Sequence, residues 1–215
     1  MEIRFIGNTA HKKIRDFYLQ THSDGDWRNF LSELDDGVRI TYEKLPYVLT
    51  RIGMDLNDVT QIGWPDQRFK QLAELCEQLD NFTLSMLCSE LRTILPQKII
   101  CMDESDPIER VREVWVIRNK GWPRSEIRGE LGFHFKPKSS VGIPLEGMVE
   151  LSKILKISLH WILFWNKDTP VYSKNPRIDL LLDLFSFGSN QVQKGFLGAV
   201  KELVRSSKQQ EYRGG

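Results

Sequence analysis

PIERVREVWVIRNKGWPRSEIRGELGFHFKPKSSVGIPLEGMVELSKILKISLHWILFWNKDTP, residues 107–170 of a 215-residue chain, is the stretch from which a fold can be read. Ile108, Val111, Val114 or Trp115, and Ile117 or Arg118 recur at helical spacing, and Gly121 closes that run. Asp106 before Pro107 is a cap signal for it. Pro123 suits the first position of a second helix, because its missing N–H would have no partner there anyway. That second helix, 123–131, carries Ile127 and Leu131 inward and stops at Gly132. Helix, glycine turn, short helix and glycine stop make the opening of a helix-turn-helix.

Further along, Leu145, Met148, Val149, Leu151, Ile154 and Leu155 form a helical stripe. Lys156-Ile157-Ser158 interrupts it, and Leu159, Trp161, Ile162 and Leu163 begin another element with Ser158 as N-cap. On these residues the stretch resembles the lambda-repressor-like helix-turn-helix family, in particular its phage-repressor branch. Ile143-Pro144, Leu155-Lys156-Ile157-Ser158-Leu159 and His160-Trp161-Ile162-Leu163 match three of the family's successive features. These are an Ile-Pro, a helix ending in leucine, any residue, isoleucine or valine, then serine, and a tryptophan-leucine-leucine element. The resemblance implies an all-α helix-turn-helix bundle, a DNA-binding transcriptional regulator, double-stranded DNA as partner, and a homodimer on two-fold sites.

The chain departs from the family between Gly132 and Ile143. The family has about fifteen residues or more there, room for a recognition helix of two to three turns in the major groove. Here only FHFKPKSSVG intervenes, and Pro137 disfavours a helical Lys136. Either a short turn over 138–141 reads the groove, or groove reading has been lost and the scaffold kept. In the first case Lys120, Arg124, Arg128, Lys136 and Lys138 are the phosphate-holding residues, and Ser139 and Ser140 with Lys138 reach base edges. Against this, Glu126 and Glu130 interleave with the two arginines, as on an ordinary solvated face. In the second case the chain is a protein-interaction module, an antirepressor or assembly subunit, that binds a protein partner instead of DNA.

Charge is distributed unevenly. Net charge is +1 overall, but residues 1–94 hold 11 Lys and Arg against 15 Asp and Glu, whereas residues 107–170 hold 11 against 7 and residues 171–215 hold 7 against 4. The middle and C-terminal parts are therefore the ones suited to phosphate, and the acidic first half favours a protein partner. With 40% hydrophobic residues, six Trp and eleven Phe, the chain has ample material for a core. No apolar run reaches the length of a membrane span, and the first ten residues lack the apolar centre of a secretion signal, which points to the cytoplasm and no membrane partner. Cys76, Cys88 and Cys101 are odd in number and lack metal-ligand spacing, so reduced thiols in or near a core are expected.

Outward from the central stretch, four segments are expected. Residues 1–96 read as a helical domain. Asn8 or Thr9 caps a helix through Gln20 with Ile14, Phe17 and Tyr18 inward; Trp27, Phe30, Leu31 and Leu34 mark a second. Thr41–Ile52 carries Leu45, Val48, Leu49 and Ile52 on one side, with Pro46 forcing a kink or a later start. A helix through Phe69, Leu72, Ala73, Leu75, Cys76 and Leu79 ends at Asn81, and another runs from Phe82 to Leu95. Residues 37–95 also read as a degenerate second copy of the central unit, since FKQLAELCEQLDNFTLSML lies on GMVELSKILKISLHWIL. Residues 97–106 form the linker, and 107–170 the helix-turn-helix domain. In 171–215 two helices, 178–187 and 191–206, pack or dimerise, and 209–215 fray.

Chemistry-bearing motifs are missing. There is no phosphate loop, no Gly-x-Ser-x-Gly and no His-Glu-x-x-His, and His11, His22, His134 and His160 fall in four separate segments. No catalytic residue, metal ligand or cofactor is expected. His160, beside Trp161 on an apolar turn, reads as a boundary residue.

Overall fold

The computed structural model describes residues 5–22, 25–33, 39–95, 107, 110–111, 114, 143–165 and 168–214. Among them stand ten helices: α1 Asn8–Thr21, α2 Trp27–Ser32, α3 Leu45–Ile52, α4 Leu56–Val59, α5 Gln67–Cys76, α6 Asn81–Ile94, α7 Leu145–Leu155, α8 Leu159–Phe164, α9 Pro176–Phe187 and α10 Asn190–Gly214. The extended backbone that pairs among these residues is one isolated antiparallel bridge, Phe5 to Thr41. The fold is all-α. Pro107, Arg110, Val111 and Val114 are helical as well, with Val111 and Val114 buried at the spacing expected for that run.

Short polar side chains set most of the helix starts. Asp26, Asp66, Asp80 and Asn175 each accept a backbone N–H two residues on. Asp55 and Asp58 close a reciprocal capping box at α4. Each such cap contributes about 1 kcal/mol. These caps correct several expected boundaries. The helix before Asn81 ends at Cys76, and Asp80 opens the next one. Pro176, two residues before the expected start at 178, is the first residue of α9, where its fixed φ suits the helix. α3 takes the later start, at Leu45, with Pro46 in its first turn.

The chain divides into two compact units, Met1–Gly63 with Asp106–Leu151, and Trp64–Ser105 with Ser152–Gly215, and the boundary between them falls inside α7. In the first unit, Ile6, Ala10, Ile14, Leu45, Val48, Leu56 and Val59 are buried. Tyr18, Trp27 and Phe30 stack into an aromatic cluster with centroids 4.7–5.4 Å apart. Neither Asn8 nor Thr9 caps α1; the cap position is Gly7, at φ 94°. A Cβ there would come within 2.8 Å of the Pro144 Cβ, so glycine supplies both the left-handed φ and the clearance. The neighbouring Ile6 donates its N–H to Ile40 and accepts from Leu145 at 2.9 Å, while the Tyr42 hydroxyl donates to the Ile143 carbonyl at 2.6 Å. The Ile143-Pro144 entry to α7 is thereby held by two polypeptide segments of this unit, one at Ile6–Gly7 and one at Tyr42.

In the second unit α9 is the centre. Ile178, Asp179, Leu181, Leu182, Asp183, Leu184, Phe185 and Ser186 are all buried, because α9 packs against α5, α6 and α8. A helix apolar on nearly every side must be enclosed in this way. Its start is tied to that of α6 by Asn175 and Arg177, which donate to the Asn81 side chain and carbonyl at 3.0 and 2.7 Å. α10 packs on α5, and Arg68 links the starts of those two helices by donating to Asn190. The C-terminal helices thus bury most of their apolar side chains within their own chain, Leu203 being left exposed. α10 is helical through Gly214, eight residues past the expected end, including the tail expected to fray.

α7 ends as expected of the Leu155–Leu159 pattern. The Ile157 N–H bonds the Ser152 carbonyl and the Lys156 N–H the Lys153 carbonyl, which places Lys156 at φ 50°. A non-glycine residue there carries steric strain. Lys156→Gly is therefore expected to raise stability by about 0.5–1 kcal/mol, read as a higher urea midpoint with an unchanged m-value. A lower midpoint would mean that the lysine side chain itself stabilises the turn. Ile154 departs from the expected stripe, being 38% exposed.

Candidate functional site

Lys120, Arg124, Arg128, Lys136, Lys138, Ser139 and Ser140, the residues expected to meet DNA, lie outside the described residues, as do Cys101 and His134. The described structure contains the scaffold that follows them. Ile143-Pro144 leads into α7, Lys156 turns left-handed, and Ser158 caps α8 by accepting from the Trp161 N–H. All six residues of α8 are buried, Trp161 and Ile162 completely.

Around α8 the second unit encloses a polar cluster. His160 is buried, not at a boundary, and its Nδ1 lies 2.6 Å from Asp183 Oδ2, with side-chain exposures of 3% and 0%. At that distance one partner carries the proton between them, so the contact joins α8 to α9 by a charge-assisted or strongly polar bond. One turn earlier on α9, Asp179 accepts the N–H groups of Val171 and Tyr172 at 2.9 and 3.0 Å. The Tyr172 hydroxyl accepts the Leu159 N–H at 2.9 Å, and its ring stacks on Trp64 with centroids 4.9 Å apart. Ser152 donates to the Ile157 carbonyl at 2.8 Å. Spacing of four residues puts Asp179 and Asp183 on one face of α9, aimed at α8 and at the loop before α9.

Burial governs the electrostatics. It pushes Asp179 up to about 6, opposed by the nearby His160 and by the two backbone N–H donors. It pushes Asp183 up as well, with His160 pulling back. The Tyr172 hydroxyl is raised for the same reason. Serine, histidine and aspartate together serve hydrolases, but a nucleophile must meet its substrate. Ser158 is fully buried and its oxygen is occupied in capping α8. The cluster therefore acts as a clamp that joins α8, the 171–172 loop and α9.

Cys76 and Cys88 are buried free thiols. Burial raises them to about 12 and about 11, so neither presents a thiolate near neutral pH. Among the described residues, no group of three or more His, Cys, Asp or Glu is placed to hold a metal ion. None of their helices is long and apolar enough to cross a membrane. In the first unit a cleft of about 330 Å³ is lined by Tyr18, His22, Asp26, Asn29, Phe30, Glu33 and Arg51. Arg51 is committed to Glu33 and to the Tyr47 hydroxyl, at 2.9 and 2.8 Å.

The two carboxylates set four apart in an otherwise apolar run are a readable signal for this cluster, whereas nothing in residue order pairs His160 with Asp183, 23 positions away. No protein-family model, curated protein or solved structure matches this chain.

Proposed function

We propose that the protein is a DNA-binding transcriptional regulator of the lambda-repressor-like helix-turn-helix type, acting as a homodimer. Lys120, Arg124, Arg128, Lys136 and Lys138 hold phosphates, and Ser139 and Ser140 reach base edges. The observation that carries this is the 143–164 scaffold. Its Ile-Pro entry, the end of α7 at Leu155, the Ser158 cap and the buried Trp161 follow the order of the family pattern. The excess of cations over residues 107–215 supports it, being +4 and +3 in the two segments.

A fluorescence titration of the full chain against mixed-sequence duplex at about 50 and 200 mM salt tests it. Five phosphate contacts imply a slope of about −4.5 in log affinity against log salt, hence a loss of a few hundredfold over that range. Arg124→Ala, Arg128→Ala and Lys138→Ala are each expected to flatten the slope by about 0.9 and leave the thermal midpoint in place. No complex at the lower salt would end the proposal.

A second reading, a protein-interaction module that keeps the scaffold, has its own support. Phe82, Met86 and Ile94 project from one side of α6, at 74%, 51% and 56% exposure. Tight binding of duplex with the steep salt dependence above would exclude it as the main role.

A further inference from the structure

Up to Gln209, α10 buries Gln193, Phe196, Leu197, Val200 and Val204 and nothing beyond Val204, while the helix itself continues to Gly214. Residues 205–209 are all polar and all exposed. Packing gives such a segment no stability, so its composition answers to something other than the core.

At 100° per residue, Lys194, Gly198, Lys201, Arg205 and Lys208 fall into one stripe about 80° wide and about 21 Å long. All five are exposed. Lys194, Lys201 and Lys208 make no ion pair among the described residues. Arg205 pairs with Glu202 at 2.6 Å, both about 70% exposed, a solvent-screened contact that gives way readily to a stronger anion. Gly198 adds a separate observation. A Cβ placed on it, as on Gly195 beside the stripe, meets nothing within 4 Å, so no neighbour among the described residues demands glycine, which weakens a helix interior. What glycine permits at that point is close approach of an outside surface to the helix backbone.

We propose that this face of α10 is a second nucleic-acid contact, its four cations lying along the phosphate backbone of double-stranded DNA with Gly198 at the point of closest approach. It rests on the DNA-binding reading above and adds a contact outside residues 107–170. A duplex backbone offers the complement: a continuous line of anions, recognised without reference to sequence. The stripe holds the protein on DNA, and base reading stays with the central stretch.

The test is fluorescence anisotropy of a labelled mixed-sequence duplex with the full chain, between about 50 and 200 mM salt. Wild type is compared with K201Q/R205Q/K208Q and with R124A/R128A. The triple variant is expected to flatten the salt slope by about 2 to 3 and to weaken binding at least tenfold at the lower salt, with its thermal midpoint unchanged. Gly198→Ala is expected to raise the thermal midpoint while weakening duplex binding severalfold; a raised midpoint with unchanged affinity removes Gly198 from the contact. An unchanged slope in the triple variant, with loss in R124A/R128A, overturns the α10 contact and leaves the DNA reading standing. Loss in the triple variant alone supports the contact and removes the helix-turn-helix assignment. Absence of wild-type binding at the lower salt overturns both. Preference for phosphatidylserine vesicles over duplex overturns the choice of nucleic acid as occupant.

Discussion

Replacing Asp183 with alanine is expected to destabilise the chain by about 3 kcal/mol, the lower end of what breaking a buried pair costs. Asp183 and His160 are both inaccessible to solvent and 2.6 Å apart. Removing the carboxylate leaves the imidazole with a buried N–H and no acceptor at that position. The imidazole can shed its proton, which is why the upper end of the range is not expected. A double replacement, His160→Leu with Asp183→Val, removes both polar groups and is expected to recover most of the loss. Urea unfolding at neutral pH, followed by tryptophan fluorescence, measures all three variants with wild type as reference. A cost below about 1 kcal/mol for Asp183→Ala, or a double variant no better than the single ones, would show that the pair does not clamp α8 to α9.

Stability is expected to rise as the solution is acidified from pH 7 to about pH 4.5, the reverse of common behaviour. Asp179 titrates near 6 in the folded chain because burial penalises its charge. In the unfolded chain it titrates near 3.9. Between those values the folded state binds more protons than the unfolded one, so lowering the pH favours folding. The shift corresponds to roughly 2–3 kcal/mol, absent at pH 7 and present in full once the pH nears 4. Asp183, raised by the same burial, acts in the same direction. Asp66 and Asp80, held below the usual carboxylate range by Arg68 and by the Thr83 backbone and hydroxyl, act oppositely. Their stabilisation is present above the unfolded value and is lost on further acidification. A maximum near pH 4.5 follows. Urea midpoints at pH 7.5, 6 and 4.5 check it, with Asp179→Asn expected to flatten the rise. Wild-type stability that falls steadily across this window would refute the account.

Local features of this chain were legible from residue order alone. Ser158 as a cap, the break at Lys156, the late start of α3 forced by Pro46, and the burial of Cys76 and Cys88 each depend on a few neighbouring residues. Hydrogen-bond caps and apolar spacing act within a turn or two, so they can be read without knowing what lies opposite. Spacing does not reveal which apolar residues find cover. Ile154, Phe82 and Ile94 belong to apolar stripes in sequence but are exposed to different degrees, 38%, 74% and 56%, because no helix among the described residues fully covers them. α10 runs past the expected end at 206 for a related reason: apolar periodicity stops at Val204, but helical hydrogen bonding does not need it.

Residue order alone settled that the chain is helical and where most helices break, since those outcomes turn on backbone chemistry within a few residues. The polar interior had to wait for the tertiary structure. The Tyr42 hydroxyl reaches Ile143 across 101 positions, and His160 meets Asp183 across 23. A histidine on an apolar turn and an aspartate in an apolar helix each look misplaced until α8 and α9 pack together. Enclosure of α9 on several sides excludes water, so burying Asp179 and Asp183 favours partners inside the protein: two backbone N–H groups for Asp179, and His160 for one oxygen of Asp183.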